Sequence, residues 1–279
     1  GRAMVDRHMI TWRSRPWEGV SLLGFGMDAK TSKQPPRTLD ELIAATAIHY
    51  VKSGGAVCAF ADMANCEGPC LDSAGRGQTN SVQASRAKKR ELMLARPTEY
   101  RAKLIDGARA FARWCAPRGL APHIRANGTH DDPLGSLAMA RAVPECVWYD
   151  YTKYYNVAAQ YAQGRFANVP NFNLTLSYSG AHSPRHGYQY RDSVIRTARE
   201  NPGLNIAVVF RDESTLTHYA ARPFLGREII RGDSHDFRTR YFDGDGKCVA
   251  LIAKGKAKRD QSGFVVDVDS AESALAALH

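Results

Sequence analysis

The stretch that decides the fold is "CVWYDYTKYYNVAAQYAQGRFANVPNFNLTLSYSG", residues 146–180. Its first part, "CVWYDYT" (146–152), is dense in β-branched and aromatic residues and reads as a strand. "NVAAQYAQG" (156–164) places apolar residues at helical spacing and stops at a glycine, and "NFNLTLSYSG" (171–180) reads as a second strand. A strand, a short helix and a strand in succession make a right-handed βαβ unit, whose strands lie parallel in one sheet.

Outward from this unit the alternation continues. Upstream, "APHIRANG" (121–128) reads as a strand and "DPLGSLAMARAVP" (132–144) as a short helix. Downstream come a helix, "YQYRDSVIRTAREN" (188–201), and strands at "NIAVVF" (205–210), "REIIRGD" (227–233) and "CVALIAKG" (248–255). Earlier in the chain, helices are expected over 80–95, with Ser81 as N-cap, and over 97–116, with Pro97 at its start. "TLDELIAATAIHYVKSGG" (38–55) reads as a helix, with Thr38 as N-cap, Glu41 completing a capping box and Gly54-Gly55 as the stop; "AVCAF" (56–60) follows as a buried strand. Residues 1–37 mix Arg, Trp, Gly and Pro without a period, and "SAESALAALH" (270–279) reads as a closing helix. The expectation is an irregular extension over 1–37 and one domain over 38–279. Its class is α/β, a partial or complete TIM-like (βα)n barrel with mainly parallel strands.

In that architecture function sits at the C-terminal ends of the strands. Polar residues crowd those ends: Asn127, Thr129, His130, Asp131 and Asp132; Asp150, Tyr151, Thr152 and Lys153; Ser177, Tyr178 and Ser179; Arg211, Asp212 and Glu213; Asp233, His235 and Asp236. For any one of them a wet loop explains the polarity; the set together points to a pocket.

"CAFADMANCEGPCLDSAGRG" (58–77) crowds Cys58, Cys66 and Cys70, half of the chain's six cysteines, into one Gly- and Pro-containing loop. Thiolates are the usual ligands of iron–sulfur clusters and structural zinc. The C-x7-C-x3-C spacing lacks the C-x2-C pair of a zinc knuckle. A zinc ion needs a fourth ligand, for which Cys115, His123 and His130 are candidates. A [4Fe-4S] cluster held by three cysteines keeps one iron open, the arrangement with which radical enzymes bind S-adenosylmethionine. Cys115, Cys146 and Cys248 read as core. The turn Gly75-Arg76-Gly77 can offer backbone N–H groups to an anion or to cluster sulfides. His182 and His186 stand four apart in "SGAHSPRHG", whose composition argues loop rather than a metal-binding helix.

A net charge of +10 attracts polyanions, and basic runs stand at "RAKKR" (86–90) and "KGKAKR" (254–259). Apolar runs are too short to cross a bilayer and no secretory h-region is visible, so the expected compartment is the cytoplasm of a bacterial host, where cysteines hold metal more often than disulfides.

The ordered segments "CEGPCLDSAGRG", "IRANGTHDD", "VWYDYTK", "NFNLTLSYS", "NIAVVFR", "IRGDSHDFR" and "LIAKGKAKRDQSGFVV" resemble a phage- and plasmid-borne three-cysteine family. Its members read close to CLNTAGRG, NGTSD, YDYTK and AKGKARRDTSGFV. The likeness spans roughly residues 50 to 268. That family is similar in turn to the gene product 88 and gene product 37/68 phage families, and their cysteine loop resembles that of radical S-adenosylmethionine barrels. This chain has Asp72-Ser73 where the family has Asn-Thr, and its cysteine spacing departs from the C-x3-C-x2-C of most radical enzymes.

The leading expectation is a phage- or mobile-element iron–sulfur enzyme, radical-SAM-like, acting on nucleic acid or a nucleotide. Cys58, Cys66 and Cys70 hold the metal. Asn127, Thr129, Ser177 and the Gly75-Arg76-Gly77 turn hold the cofactor, with Asp150 beside them. Asp150, Lys153, Arg211 and His235 are the candidate catalytic residues. One alternative is a zinc-stabilised nucleic-acid-binding protein without redox chemistry. Another is a transglycosylase-like base-exchange barrel with Asp131 or Asp150 as nucleophile or general base.

Overall fold

The structure, a computed structural model, describes residues 11–26, 38, 40–270 and 276. Its strands are β1 (Trp12–Arg13), β2 (Gly24–Phe25), β3 (Ile43–Ile48), β4 (Leu120–Arg125), β5 (Val147–Thr152), β6 (Phe172–Ser177), β7 (Ile206–Phe210), β8 (Glu228–Arg231) and β9 (Lys247–Ile252). Its helices are α1 (Ala61–Ala64), α2 (Asn80–Ala95), α3 (Pro97–Cys115), α4 (Pro133–Ala142), α5 (Tyr155–Ala162), α6 (Gln189–Glu200), α7 (Glu213–Ala220) and α8 (Arg240–Asp243). The strands form one sheet in the order β1-β2-β3-β4-β5-β6-β7-β9-β8. All pairings from β3 to β8 are parallel, and β1 and β2 join antiparallel at the β3 edge.

The fold is mixed α/β with a mainly parallel sheet, as the alternation implied, but no pairing among the described residues closes it into a barrel. A barrel would pair the free edge of β3 with the last strand. That edge is instead occupied by β2, whose Gly24 pairs with Ile48. Residues 11–26, read from sequence as irregular, thus cap the sheet, and bury Leu22 and Leu23 while Trp12 and Trp17 pack on the same core.

Strand alternation gives the two faces different chemistry. On the outer face Ala45, Ala47, Ile124, Trp148 and Leu174 pack with α3 and α4, and Leu176, Ile206, Val208, Phe210, Cys248 and Ala250 pack with α6 and α7. The inner face is far more polar, with Thr46, His123, Arg125, Tyr149, Asn173 and Thr175 all buried on it. It is covered by the connection from β8 to β9. That connection leaves the C-terminal end of β8, where Asp233 Oδ2 accepts from the N–H of Ile252 at 2.8 Å. It crosses Arg125 and Tyr149 through Asp236 and Phe237. At the opposite end of the sheet the N–H of Arg240 reaches Asn173 Oδ1 at 3.1 Å, and Asn205 Nδ2 donates to the carbonyl of Gly244 at 2.8 Å.

Four local expectations change. The helix read over 38–55 is a tight turn followed by β3. The N–H of Glu41 donates to the Thr38 carbonyl, Glu41 sits at φ 59, and no capping box forms. A strand buried on both faces loses its polar alternation, so "IAATAI" is a run of small apolar residues that fits helix and strand equally. "AVCAF" is not a strand but a 3-10 turn at Gly55–Val57 leading to α1. Thr79, not Ser81, precedes α2. Helices α7 and α8 had no counterpart in the reading; the helix expected over 270–279 lies largely outside the described residues. Among the described residues no helix is long and apolar enough to cross a membrane.

Candidate functional site

A cavity of about 200 Å3 opens where the strands from β4 to β9 end, on the inner face. Cys58, Cys66 and Cys70 all line it. So do Asn127 and Thr129 after β4, Tyr151 and Lys153 at β5, Ser177 at β6, and Asp233, His235 and Asp236 from the β8–β9 connection.

The cysteine loop is pinned from several sides. The Thr129 hydroxyl donates to the Val51 carbonyl, the N–H of Asp131 to Val57, and the Ser179 hydroxyl to Ala64. The Phe60 ring packs edge-on against Tyr154 and Tyr155. Beyond Cys70, Asp72 is 3 % exposed and receives Lys52 Nζ at 2.9 Å and Arg86 Nη1 at 2.8 Å. Against the pull of burial, these two cations hold the Asp72 carboxyl below its ordinary value. Gln83 and Arg86 also donate to the Asp72 carbonyl, which lies 2.4 Å from where a Cβ on Gly77 would stand. Gly77→Ala is therefore expected to cost about 1–3 kcal/mol in chemical denaturation through overpacking. The glycine turn serves this clasp, and Gly75, Arg76 and Gly77 do not line the cavity.

"RAKKR" also belongs to the clasp more than to a solvated face. Arg86 is buried on Asp72, Arg90 donates to the Ser53 carbonyl at 3.1 Å, and burial pulls the Lys89 amine down to about 8.

The three thiols carry no disulfide. The Gly54 N–H points at Cys58 Sγ at 3.4 Å, the Asp72 N–H points at Cys70 Sγ at 3.5 Å, and Cys70 Sγ donates to Ser53 Oγ at 3.4 Å. Burial pushes the Cys58 thiol up to about 11 and raises Cys66, with neighbouring thiols adding to both. Lys153 stands among them. Burial opposes its charge, yet Cys66, Asp131, Cys70 and Cys58 together keep it above its ordinary value. Burial also lifts Asp131 to about 6, against donors from the Thr152 hydroxyl (2.8 Å) and the Lys153 N–H (2.7 Å).

A metal taking these ligands as thiolates would have to displace the protons that burial holds on Cys58 and Cys66. A single zinc ion needs four donors converging at 2.0–2.3 Å, roughly, on one point. Among the described residues no three His, Cys, Asp or Glu side chains are so grouped. Of the proposed fourth ligands, Cys115 lies in the outer core, and His123 packs under Phe237, where burial holds it down to about 4. His130 lines the cavity as a neutral ring, burial holding it at about 3. Thiolates that each cap a different iron of a cluster need no common point.

The cavity floor is ionic. Arg125, 4 % exposed, donates through Nη1 to both Asp236 oxygens at 3.1 and 3.2 Å and lies over the Tyr151 ring at 4.9 Å. Tyr149 Oη donates to Asp236 at 3.2 Å. Arg125 was unmarked in the sequence, since its partner stands 111 residues away.

The structure brings Cys58, Cys66, Cys70, Asn127, Thr129, Lys153, Ser177 and His235 together, and leaves two candidate catalytic residues out. Asp150 shares the parity of Trp148 and points outward to α4. It accepts from the Asn127 N–H (2.8 Å), Asn127 Nδ2 (3.2 Å) and the Ser136 hydroxyl (2.6 Å), so it positions Asn127 from behind. Arg211 pairs with Asp267 at 2.8 Å and donates to the carbonyls of Lys258 and Asp260, so its role is to hold that turn. His182 and His186 sit in a loop closed by the Ser183–Gly187 bridge, where His186 faces Asp62 at 3.5 Å.

A family model described as Gene product 88 matches residues 21–268. No curated protein and no solved structure matches the chain.

Proposed function

The chain belongs to the gene product 88 family, and from that premise we propose that it is a radical-SAM-like iron–sulfur enzyme acting on nucleic acid or a nucleotide. One observation carries the reading. Of six cysteines, the three in the early loop reach the cavity at the strand ends, while Cys115, Cys146 and Cys248 are spent in the helix-side cores.

In this reading Cys58, Cys66 and Cys70 hold a [4Fe-4S] cluster beside a pocket for S-adenosylmethionine. Such a cluster, when bound, supplies one electron to the molecule next to it. Lys153 balances the negative charge of three thiolates in a site where water screens little. The Gly54 and Asp72 N–H groups stabilise sulfur charge on Cys58 and Cys70. Asn127, fixed from behind by Asp150, and Ser177 orient the bound molecule at the strand ends, while the Tyr151 and Phe264 rings exclude water. Asp131, carrying its proton up to about pH 6, is the cavity group suited to exchange a proton near neutrality.

The test is anaerobic reconstitution with iron and sulfide. Wild-type protein should gain a broad visible charge-transfer absorption, and Cys58→Ala, Cys66→Ala and Cys70→Ala should each lose most of it. Cys248→Ala should keep it. Colourless protein holding near-stoichiometric zinc in air would overturn the reading in favour of the zinc-stabilised alternative. For base exchange, Asp131 is the one of the two candidate carboxyls that lines the cavity, and an Asp131→Asn variant with unchanged turnover removes that route.

A further inference from the structure

We propose that the turn Gly255–Arg259 is a phosphate-binding rim that holds a polynucleotide strand across the cavity mouth, so that the substrate is a polymer and not a free nucleotide. The inference rests on the nucleic-acid half of the reading above.

The turn stands at the right place. Lys254 and Ala257 line the cavity, and a Cβ on Gly255 would meet Ala74 of the cysteine loop at 3.3 Å. Lys256, Lys258 and Arg259 all point to solvent, and none of the three forms an ion pair among the described residues. Lys254 differs, being bound to Asp233. The acids nearby are engaged elsewhere. Asp260 accepts from Ser262 and from the N–H of Val265, Asp267 holds Arg211, and Asp72 is bound to Lys52 and Arg86.

The turn is also rigid. Arg211 donates to the carbonyls of Lys258 at 3.1 Å and Asp260 at 2.5 Å, and Asp260 ties the turn to the strand bridge that follows it. Fixing the backbone leaves only side-chain entropy to be lost when a phosphate binds. Three unpaired cations on a fixed turn suit successive phosphates of a strand. The Phe264 and Tyr151 rings inside the cavity offer faces for a base drawn from that strand.

The experiment measures anisotropy of short fluorescein-labelled single-stranded DNA, single-stranded RNA and duplex DNA over a salt series. Wild type should bind at least one single strand, with affinity falling as salt rises. The triple variant Lys256→Glu, Lys258→Glu, Arg259→Glu should lose about tenfold or more in affinity at low salt and flatten the salt slope by about 2, near 0.7 per lost phosphate contact. A pair on the exposed face of α3, Arg101→Glu with Arg113→Glu, should bind as wild type does. Equal binding by the triple variant, equal loss in the α3 pair, or no binding by wild type overturns the proposal. Cluster absorption is read on the same samples. A triple variant that keeps it is folded with its cysteine site intact. Wild type that binds strands without ever gaining it sinks the cluster reading and leaves the rim standing.

Discussion

Asp236→Ala should lower the unfolding free energy by about 3–5 kcal/mol, because it strands the Arg125 guanidinium at a site only 4 % exposed. Arginine cannot shed its proton to escape, so the charge must find water or distort the floor. Tyr149 loses one of its two acceptors in the same step and keeps Thr46 Oγ1 at 2.9 Å. The loss should be largely reversed when both charges go together, as in Arg125→Met with Asp236→Leu, since burying an ion pair costs nearly as much as its attraction returns. Urea denaturation of the two variants decides it. A loss below about 1 kcal/mol in the single variant would mean that water already reaches the pair.

Asp150 should make a contribution to stability that falls as pH rises from about 4 to about 7, opposed by His123 and His130, whose buried neutral rings act the other way. Asp150 is 0 % exposed, and burial lifts its carboxyl from 3.8 to about 7, against hydrogen bonds from Ser136 and Asn127. The unfolded chain releases the same proton near 4. Between those values the folded state holds more protons, so this contribution is complete below about pH 4 and is lost as pH climbs through about 7. The span corresponds to roughly 4 kcal/mol, at about 1.4 per pKa unit. Asp131, at about 6, acts in the same direction. Asp150→Asn keeps an oxygen for the Asn127 N–H, and the Ser136 hydroxyl can turn to accept from the new amide. The stability of wild type relative to this variant should fall between pH 5 and 7, as read by denaturant midpoints at fixed ionic strength. A variant curve as steep as wild type would assign the slope to other groups.

The strands from β4 onward were legible because spacing and a closing glycine or asparagine mark most of the intervening helices, but the insertion of β9 between β7 and β8 was not. The thiols were legible because three cysteines in one loop are conspicuous in any context. What sequence hid has a common physical cause. Strand β3 is covered on both faces and so lacks alternation. Arg125 and Asp236 acquire meaning only from each other, across 111 residues. Asp150 could have been turned outward by counting from Trp148, since strand parity gives it the same face, but its acidity at a strand end drew the opposite reading. The basic runs divided along the same line: one buries its Arg86 in the Asp72 clasp, the other lies at the cavity mouth, and charge density cannot separate the two.

The chain passage that covers the inner face sets an order of events in the making of the protein. Synthesis delivers Cys70 more than 160 residues before Asp233. Until β9 is threaded between β7 and β8, the polar inner face of β4 and β5 has no cover and the thiols have no chamber. Parallel strands with distant partners pair slowly. The nascent chain therefore carries its three thiols without the β8–β9 cover through most of translation.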